Sequence, residues 1–276
     1  MHAVNDALIE ETELRLLLEG VRNCYGFDFR DYAAEPLKRR IWERVHAEGA
    51  QTLSGYQEKL LHEPTCMAQL LRALRHNEIG LFDDPDFWLA FRRMVVPLLR
   101  TYPSIQIWVP ECAGGEDVYS LAILLHEEGV LPRARIYATD LSETILCHAR
   151  EAVFPLSRMA DDAEQYLKAG GSRSFSQYYQ MEQDRAVVSV PLLDHIVFAE
   201  HNLATDGPFN EFQSIVCRRA LSAYNQWLQE HVYDLFLQSL SRFGVLALGP
   251  DESPSVRSKR PYEKLPGVAN LYRKVE

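Results

Sequence analysis

The sequence predicts an α/β protein: a mostly parallel sheet with helices on both faces, preceded by an all-helical segment. Residues 8 to 100 place apolar side chains at helical spacing, with little strand texture. From about residue 104, short apolar runs alternate with amphipathic stretches, as in repeated β-α units. Residues 170–192 then carry Gly-Gly followed by aromatic and β-branched side chains, the composition of a small antiparallel insertion. The expected division is a helical domain over 1–88 and an α/β domain over 89–276, with a β subdomain at about 170–192.

Taken in order, Leu14, Leu17, Leu18 and Val21 recur at helical spacing. "YGFDFRDY" breaks that helix, and Pro36 restarts one at a first-turn position. Further helices are expected near 54–62, 67–76 and 84–100, the last opened by Asp84 as N-cap and Pro85 behind it. "IQIWV" then reads as a strand, 116–129 as a helix, "RIYAT" as a strand and 142–152 as a helix. "HIVFAEHN" and "QSIVCR" are strands, Gln226 to Phe243 a helix, and "GVLALG" and "NLYRKV" the last strands.

The 276 residues are 47% hydrophobic, enough for a large core without disulfides or metals. Cys24, Cys66, Cys112, Cys147 and Cys217 form no C-x-x-C pair, which argues against a zinc site or redox dithiol. A formal charge of −10 argues against nucleic acid as a partner, because phosphate repulsion dominates at long range. No run of about 18 apolar residues suggests membrane insertion. The acidic N-terminal stretch lacks a basic-then-apolar leader pattern, so a cytoplasmic location is expected. One basic cluster stands out in "EPLKRRIWERV": Lys38, Arg39, Arg40 and Arg44 are either a solvated helix face or a docking site for an acidic partner.

The chemistry concentrates in "WVPECAGGEDVYSLA", where a strand meets a turn holding Gly114 and Gly115 and a helix follows. Glycine there lets backbone N–H groups approach a polar ligand. Asp140, which ends "IYATD" 25 residues beyond Gly115, is placed to accept hydrogen bonds from ribose hydroxyls. Such a pattern suits nicotinamide enzymes and methyltransferases alike. No serine–histidine–acid arrangement follows from the spacings, and His76 and His201 read as structural histidines. Tyr178 and Tyr179 are either a binding handle or sheet packing, and Asp161, Asp162 and Glu164 read as a solvated helix start.

Five ordered blocks sharpen the choice: "NEIGLFDDPDFW", the glycine turn, "IYATDLSETILCHAREAVF", "VFAEHNL" and "SIVCRRAL". Together they resemble the CheR family, the S-adenosylmethionine-dependent chemoreceptor glutamate methyltransferases, over nearly the whole chain. The resemblance implies a Rossmann-like methyltransferase sheet, S-adenosylmethionine or S-adenosylhomocysteine as cofactor, and a chemoreceptor or other signalling protein as partner. Asn77, Cys112, Gly115, Glu116, Asp140, Asn202 and Leu203 are the cofactor-site positions it implies. Other positions depart from the family pattern. Ile79 and Asp83 replace a hydroxyl residue and an arginine at the cofactor's amino-acid end. Glu111 replaces the first glycine of the turn, Arg219 an asparagine and Ala223 a tyrosine. Tyr224 lies one residue on, about 100° around a helix.

These changes bear on catalysis. Methyl transfer to a carboxylate depends on alignment, which is worth on the order of 7–11 kcal/mol. Asp83 trades a clamp for a charge that repels the cofactor's carboxylate, by about 4 kcal/mol at 4 Å and an effective dielectric of 20. Arg219 is expected to pair with Glu111, Asp83 or both, plugging the methionine end. The leading expectation is a chemosensory signalling protein with weak or absent cofactor binding or methyl transfer, acting through a partner held by the basic helix or the β subdomain. The alternative is an active protein-glutamate O-methyltransferase that tolerates its altered pocket. Binding of another nucleotide rests only on Asp140 and Gly115.

Overall fold

The computed structural model describes residues 6–75, 79–254, 261–267 and 269–275. Two compact units result: the chain up to Asn77 with Ser222–Gln229, and Glu78–Leu221 with Glu230–Glu276.

The helical unit contains α1 (Asp6–Tyr25), α2 (Ala34–Ala47), α3 (Leu53–His62) and α4 (Pro64–Arg75). Its core follows helical spacing: Leu17 and Val21 from α1, Leu37, Ile41 and Val45 from α2, and Leu53, Tyr56 and Leu60 from α3 are buried. Thr52 caps α3 by accepting from Gly55 N at 3.0 Å. The segment from Ser222 joins this unit through a short bridge. Ala33 N donates to Ala223 O at 2.8 Å, and the Tyr224 ring meets Tyr32 edge-on at 5.0 Å. Tyr224 is thereby buried as packing in the helical unit.

The α/β unit begins before residue 88. Leu81, Phe82, Phe87 and Trp88 are buried in the core that also holds the sheet residues Ile107 and Val109, so the "LFDDPDFW" block packs with the sheet. Asp84 does cap α5 (Pro85–Ala90), accepting from Phe87 N at 3.4 Å. The expected single helix over 84–100 is instead α5, a π-helical turn at Phe91–Val95 and α6 (Val96–Leu99). Pro97 explains the break: it has no N–H to give the Arg93 carbonyl, and a π turn absorbs the mismatch.

After these come β1 (Ile105–Pro110), α7 (Glu116–Glu127), β2 (Ala134–Asp140), α8 (Glu143–Glu151), β3 (Val153–Pro155), α9 (Met159–Lys168), β4 (Tyr179–Glu182), β5 (Arg185–Val188) and α10 (Val190–Leu193). The chain closes with β6 (Ile196–Glu200), β7 (Phe212–Cys217), α11 (Gln226–Ser239), β8 (Leu240–Leu248), β9 (Tyr262–Lys264) and β10 (Asn270–Lys274). One sheet has the order β6-β2-β1-β7-β8-β10-β9. β6, β2, β1, β7 and β8 pair in parallel, while β10 and β9 are antiparallel. A second, antiparallel sheet of order β3-β5-β4 is the expected insertion, and it starts at Val153 rather than near 170. α11 stops at Ser239 instead of Phe243 because Leu240 already pairs with Phe212 as the start of β8.

Alternation along β1 divides the core. Ile107 and Val109 face the α7 side. Trp108 faces the other way, into an aromatic cluster with Phe212 at 5.4 Å, Phe236 at 5.5 Å and His201 at 5.1 Å. Val118 through Leu125 of α7 are all buried, so this helix is enclosed rather than merely half-covered.

Gly115 fixes where the helix begins. Its φ is +91°, and a Cβ there would lie 2.8 Å from Tyr119 Cε2. Gly115→Ala is expected to lower stability by about 1–3 kcal/mol, from left-handed strain plus overpacking, measured by denaturant unfolding. An unchanged midpoint contradicts this account of the turn.

Candidate functional site

The site lies within the α/β unit, at the carboxyl ends of β1, β2 and β7 and the amino end of α7. Local backbone rules are broken here. Phe82, Asp84, Glu111, Ala113 and Arg219 all have φ between +48° and +63°. Each such residue costs on the order of 1–3 kcal/mol unless its surroundings hold it. Glu111 and Arg219 therefore keep the left-handed shape that a glycine or an asparagine adopts with less strain.

The surroundings do hold it. Asp140 is fully buried, and its carboxylate accepts from Ala113 N at 3.0 Å and Leu141 N at 2.8 Å. It thus braces the glycine turn from the end of β2. Cys112, also buried, receives Gly115 N at its carbonyl at 2.8 Å and donates its own N–H to Thr139 O at 3.0 Å. Glu252 is buried and accepts three backbone N–H groups, from Arg219 at 2.9 Å, Leu221 at 2.8 Å and Gly249 at 2.9 Å. Phe82 N donates to Ser120 Oγ at 2.8 Å, which ties the "LFDD" block to α7.

Two arginines follow β7. The side chain of Arg218 is fully buried. It pairs with Asp117, lies 3.7 Å from Asp84, and donates to Asp83 O at 2.9 Å. Its guanidinium sits 4.4 Å from the Phe87 ring centroid and 5.3 Å from that of Trp88. Arg219 pairs with the Asp83 carboxylate. Asp83 is one of the two partners, with Glu111, expected from the exchange of charges in the sequence.

Acids fill the rest. The Glu116 carboxylate folds back over the turn, so a Cβ on Gly114 would come within 2.5 Å of Glu116 Oε1. Burial, with Asp117 and Asp162 nearby, pushes the Glu116 carboxyl up to about 7, against the pull of its own backbone N–H and Arg158. Asp162 is not the solvated helix start expected from sequence. It is 3% exposed and packs against Gly80, where a Cβ would meet Asp162 Oδ1 at 2.1 Å. Burial raises it to about 6, opposed by Arg158 and the Leu81 N–H.

At the adenine-side positions, Asn202 forms an Asx turn, its Oδ1 accepting from Ala204 N at 2.9 Å, and Leu203 is buried. His201 is a structural histidine, with Nε2 3.1 Å from Gly207 O. Tyr178 is buried, which favours packing over a binding handle. Ile79 is half-buried, Asn77 lies outside the described residues, and Ala223 belongs to the helical unit.

Two family profiles match this chain. Residues 12–74 match the CheR methyltransferase all-alpha domain, and residues 77–268 match the CheR methyltransferase SAM binding domain. The chain belongs to the CheR methyltransferase family. It is 42% identical to the putative methyltransferase Cher3 of Pseudomonas putida, over 96% of this chain and 97% of that one. Identity to the chemotaxis protein methyltransferase of Listeria innocua is 25%, covering 84% of this chain and 86% of the relative. For the chemotaxis protein methyltransferase of Salmonella typhimurium it is 22%, covering 89% and 85%.

Gly115, Asp140, Asn202 and Leu203 lie just beyond or at the ends of β1, β2 and β6, and a Cβ on Gly115 would meet Tyr119. At the position that the resemblance assigns to the amino-acid end of S-adenosylmethionine, the acid Asp83 is paired with Arg219. The guanidiniums of Arg218 and Arg219 are paired with carboxylates.

The helical unit spends most of its basic cluster internally. Lys38 pairs with Glu10 at 2.5 Å, Arg40 donates to Leu74 O, and Arg44 pairs with Glu48 and Gln69. Arg39 projects outward, 71% exposed and 4.0 Å from Glu43. The four cations do not form one exposed basic face. No helix among the described residues is long and apolar enough to cross a membrane.

Glu116 gives the site a pH signature. An acid whose folded pKa is raised above its usual value stabilises the fold below that usual value and loses the contribution as pH rises through the folded one. The window here runs from the usual 4.5 to about 7. Glu116→Gln should remove this loss, so that its stability exceeds the parent's at pH 8 by on the order of 2–3 kcal/mol and the two converge near pH 4. Parallel pH profiles in urea unfolding contradict the assignment.

Proposed function

We propose that this chain is a chemosensory signalling protein of CheR type whose methyl transfer is weakened, and that it acts by binding a partner protein. The observation that carries this reading is the Arg219–Asp83 pair at the cofactor's amino-acid end. A carboxylate stands where alignment needs a cation, and the nearest guanidinium is engaged with it. The same acidic field opposes a substrate glutamate, because the cofactor's carboxylate and the substrate side chain are both anionic. Partner binding is supported by the small antiparallel sheet. β4 lies at its edge, and Gln180, Met181 and Glu182 are exposed. In the helical unit, Arg39 is the cation of the basic cluster that offers itself to a partner. A chemoreceptor is the expected partner, given relatives that are named chemotaxis protein methyltransferases.

The second reading, an active protein-glutamate O-methyltransferase, is favoured by the nucleoside-side residues Gly115, Asp140, Asn202 and Leu203. Calorimetric titration with S-adenosylmethionine and S-adenosylhomocysteine, with methyl-label transfer to a chemoreceptor signalling fragment, separates the two. Weak binding with no label transfer is expected; micromolar binding with transfer establishes the enzyme. Asp83→Arg, Glu111→Gly and Arg219→Asn combined should tighten S-adenosylhomocysteine binding at least tenfold, about 1.4 kcal/mol. Unchanged affinity in a folded triple variant shows that charge is not the obstacle.

A further inference from the structure

We propose that an outward stripe of α1 is a dimer interface: two copies of this chain pair through it as antiparallel helices, Glu11 of each against Arg15 of the other. The buried side of α1 is set by Leu17 and Val21. A second stripe carries Leu8, Glu11, Arg15 and Leu18, separated by three, four and three residues. That is the spacing of a coiled-coil seam. Leu8 is 57% exposed, Glu11 and Arg15 are exposed, and Leu18 is half-buried. Together with Glu19 and Arg30, these side chains line a furrow of about 570 Å³. A furrow along one helix receives the side-chain ridge of another.

The charges name the occupant. Other charged side chains of α1 are engaged within the chain. Glu10 pairs with Lys38 and accepts from Trp42 Nε1 at 2.7 Å, Glu13 accepts from Ser54 Oγ at 2.6 Å, and Glu19 lies 3.8 Å from Arg22. Among the described residues, neither Glu11 nor Arg15 has an ion-pair partner. A two-fold axis beside Glu13 supplies one for each. The layers are then Leu8 on the partner's Leu18, Glu11 on the partner's Arg15, and the two reciprocal contacts. Such an isologous arrangement needs only that one stripe be complementary to itself. Glu11 and Arg15 are also neighbours at i,i+4 within each helix, so four charges of alternating sign close a square.

The same charges fix orientation and register. Parallel helices would set Glu11 against Glu11 and Arg15 against Arg15, and like charges repel. A slip of one heptad sets Leu18 against the partner's Arg15 and leaves a covered charge without its counter-ion, which is costly. Thr12 and Leu14 stand on either side of the stripe and flank the central layers. A polar layer inside an apolar seam lowers affinity while it specifies the pairing. One helix of about 30 Å gives a small interface, so the dimer is weak and depends on concentration.

The experiment is sedimentation equilibrium of the full chain from about 5 to about 200 µM, with far-UV circular dichroism of each variant as the check on folding. A reversible monomer–dimer equilibrium is expected. Glu11→Arg alone and Arg15→Glu alone should each weaken it roughly tenfold or more, because like charges then meet in the central layers. An equimolar mixture of those two single variants should dimerise again, since each supplies the charge that the other lacks. The double reversal, Glu11→Arg with Arg15→Glu, should dimerise like the parent. A parent that stays monomeric over this range, a dimer indifferent to both single reversals, or a mixture that stays monomeric overturns the inference. None of these outcomes reads methyl transfer, so failure here leaves the proposed function as it stands.

Discussion

The pairing of Arg219 with Asp83 is the contact on which the functional account depends. Its importance is not its contribution to stability. Asp83 is nearly half exposed, and ion pairs of that kind are worth about 0–1 kcal/mol. What matters is occupation: the proposed function takes this guanidinium and carboxylate to fill the place at which the cofactor's amino-acid tail would dock. The neighbouring pair of Arg218 with Asp117 is the reverse case. It is buried beneath aromatic rings, and it holds the amino end of α7 to the end of β7. One arginine builds the site and the next one closes part of it.

Much of the surrounding geometry serves to keep strained backbone in place. Asp140 ends β2 and gives one oxygen to Ala113 N in the turn that follows β1 and the other to Leu141 N. Glu252 does the same for the segment after β7. Each carboxylate caps backbone N–H groups that would otherwise be buried without partners, and charged acceptors make the stronger hydrogen bonds. The left-handed residues Glu111, Ala113 and Arg219 are affordable only because of these braces.

The fold was legible in the sequence because its signals are local. Alternation marked β1 and β2, the Asp84-Pro85 pair marked a helix start, and the change of texture near residue 104 separated helices from sheet. The misses have long-range causes. "LFDDPDFW" reads as part of the helical run, yet its aromatic side chains are buried with the sheet. β3 is a short strand whose existence depends on pairing with β5. Within the site, Asp83 and Arg219 could be matched by charge, because both depart from a recognisable pattern. Asp162, Arg158 and Glu252 could not: an acid in a polar stretch looks solvated until Gly80 or three amides close around it. The partners of Lys38 and Arg40 were hidden for the same reason, since Glu10 and the Leu74 carbonyl lie far from them in sequence.

The most direct measurement of the central claim is a crystal structure of the chain soaked with S-adenosylhomocysteine at millimolar concentration. The account predicts Arg219 still on Asp83, with the amino-acid tail displaced from that corner or without density. A fully ordered tail, its carboxylate bound where Asp83 now meets Arg219, contradicts it.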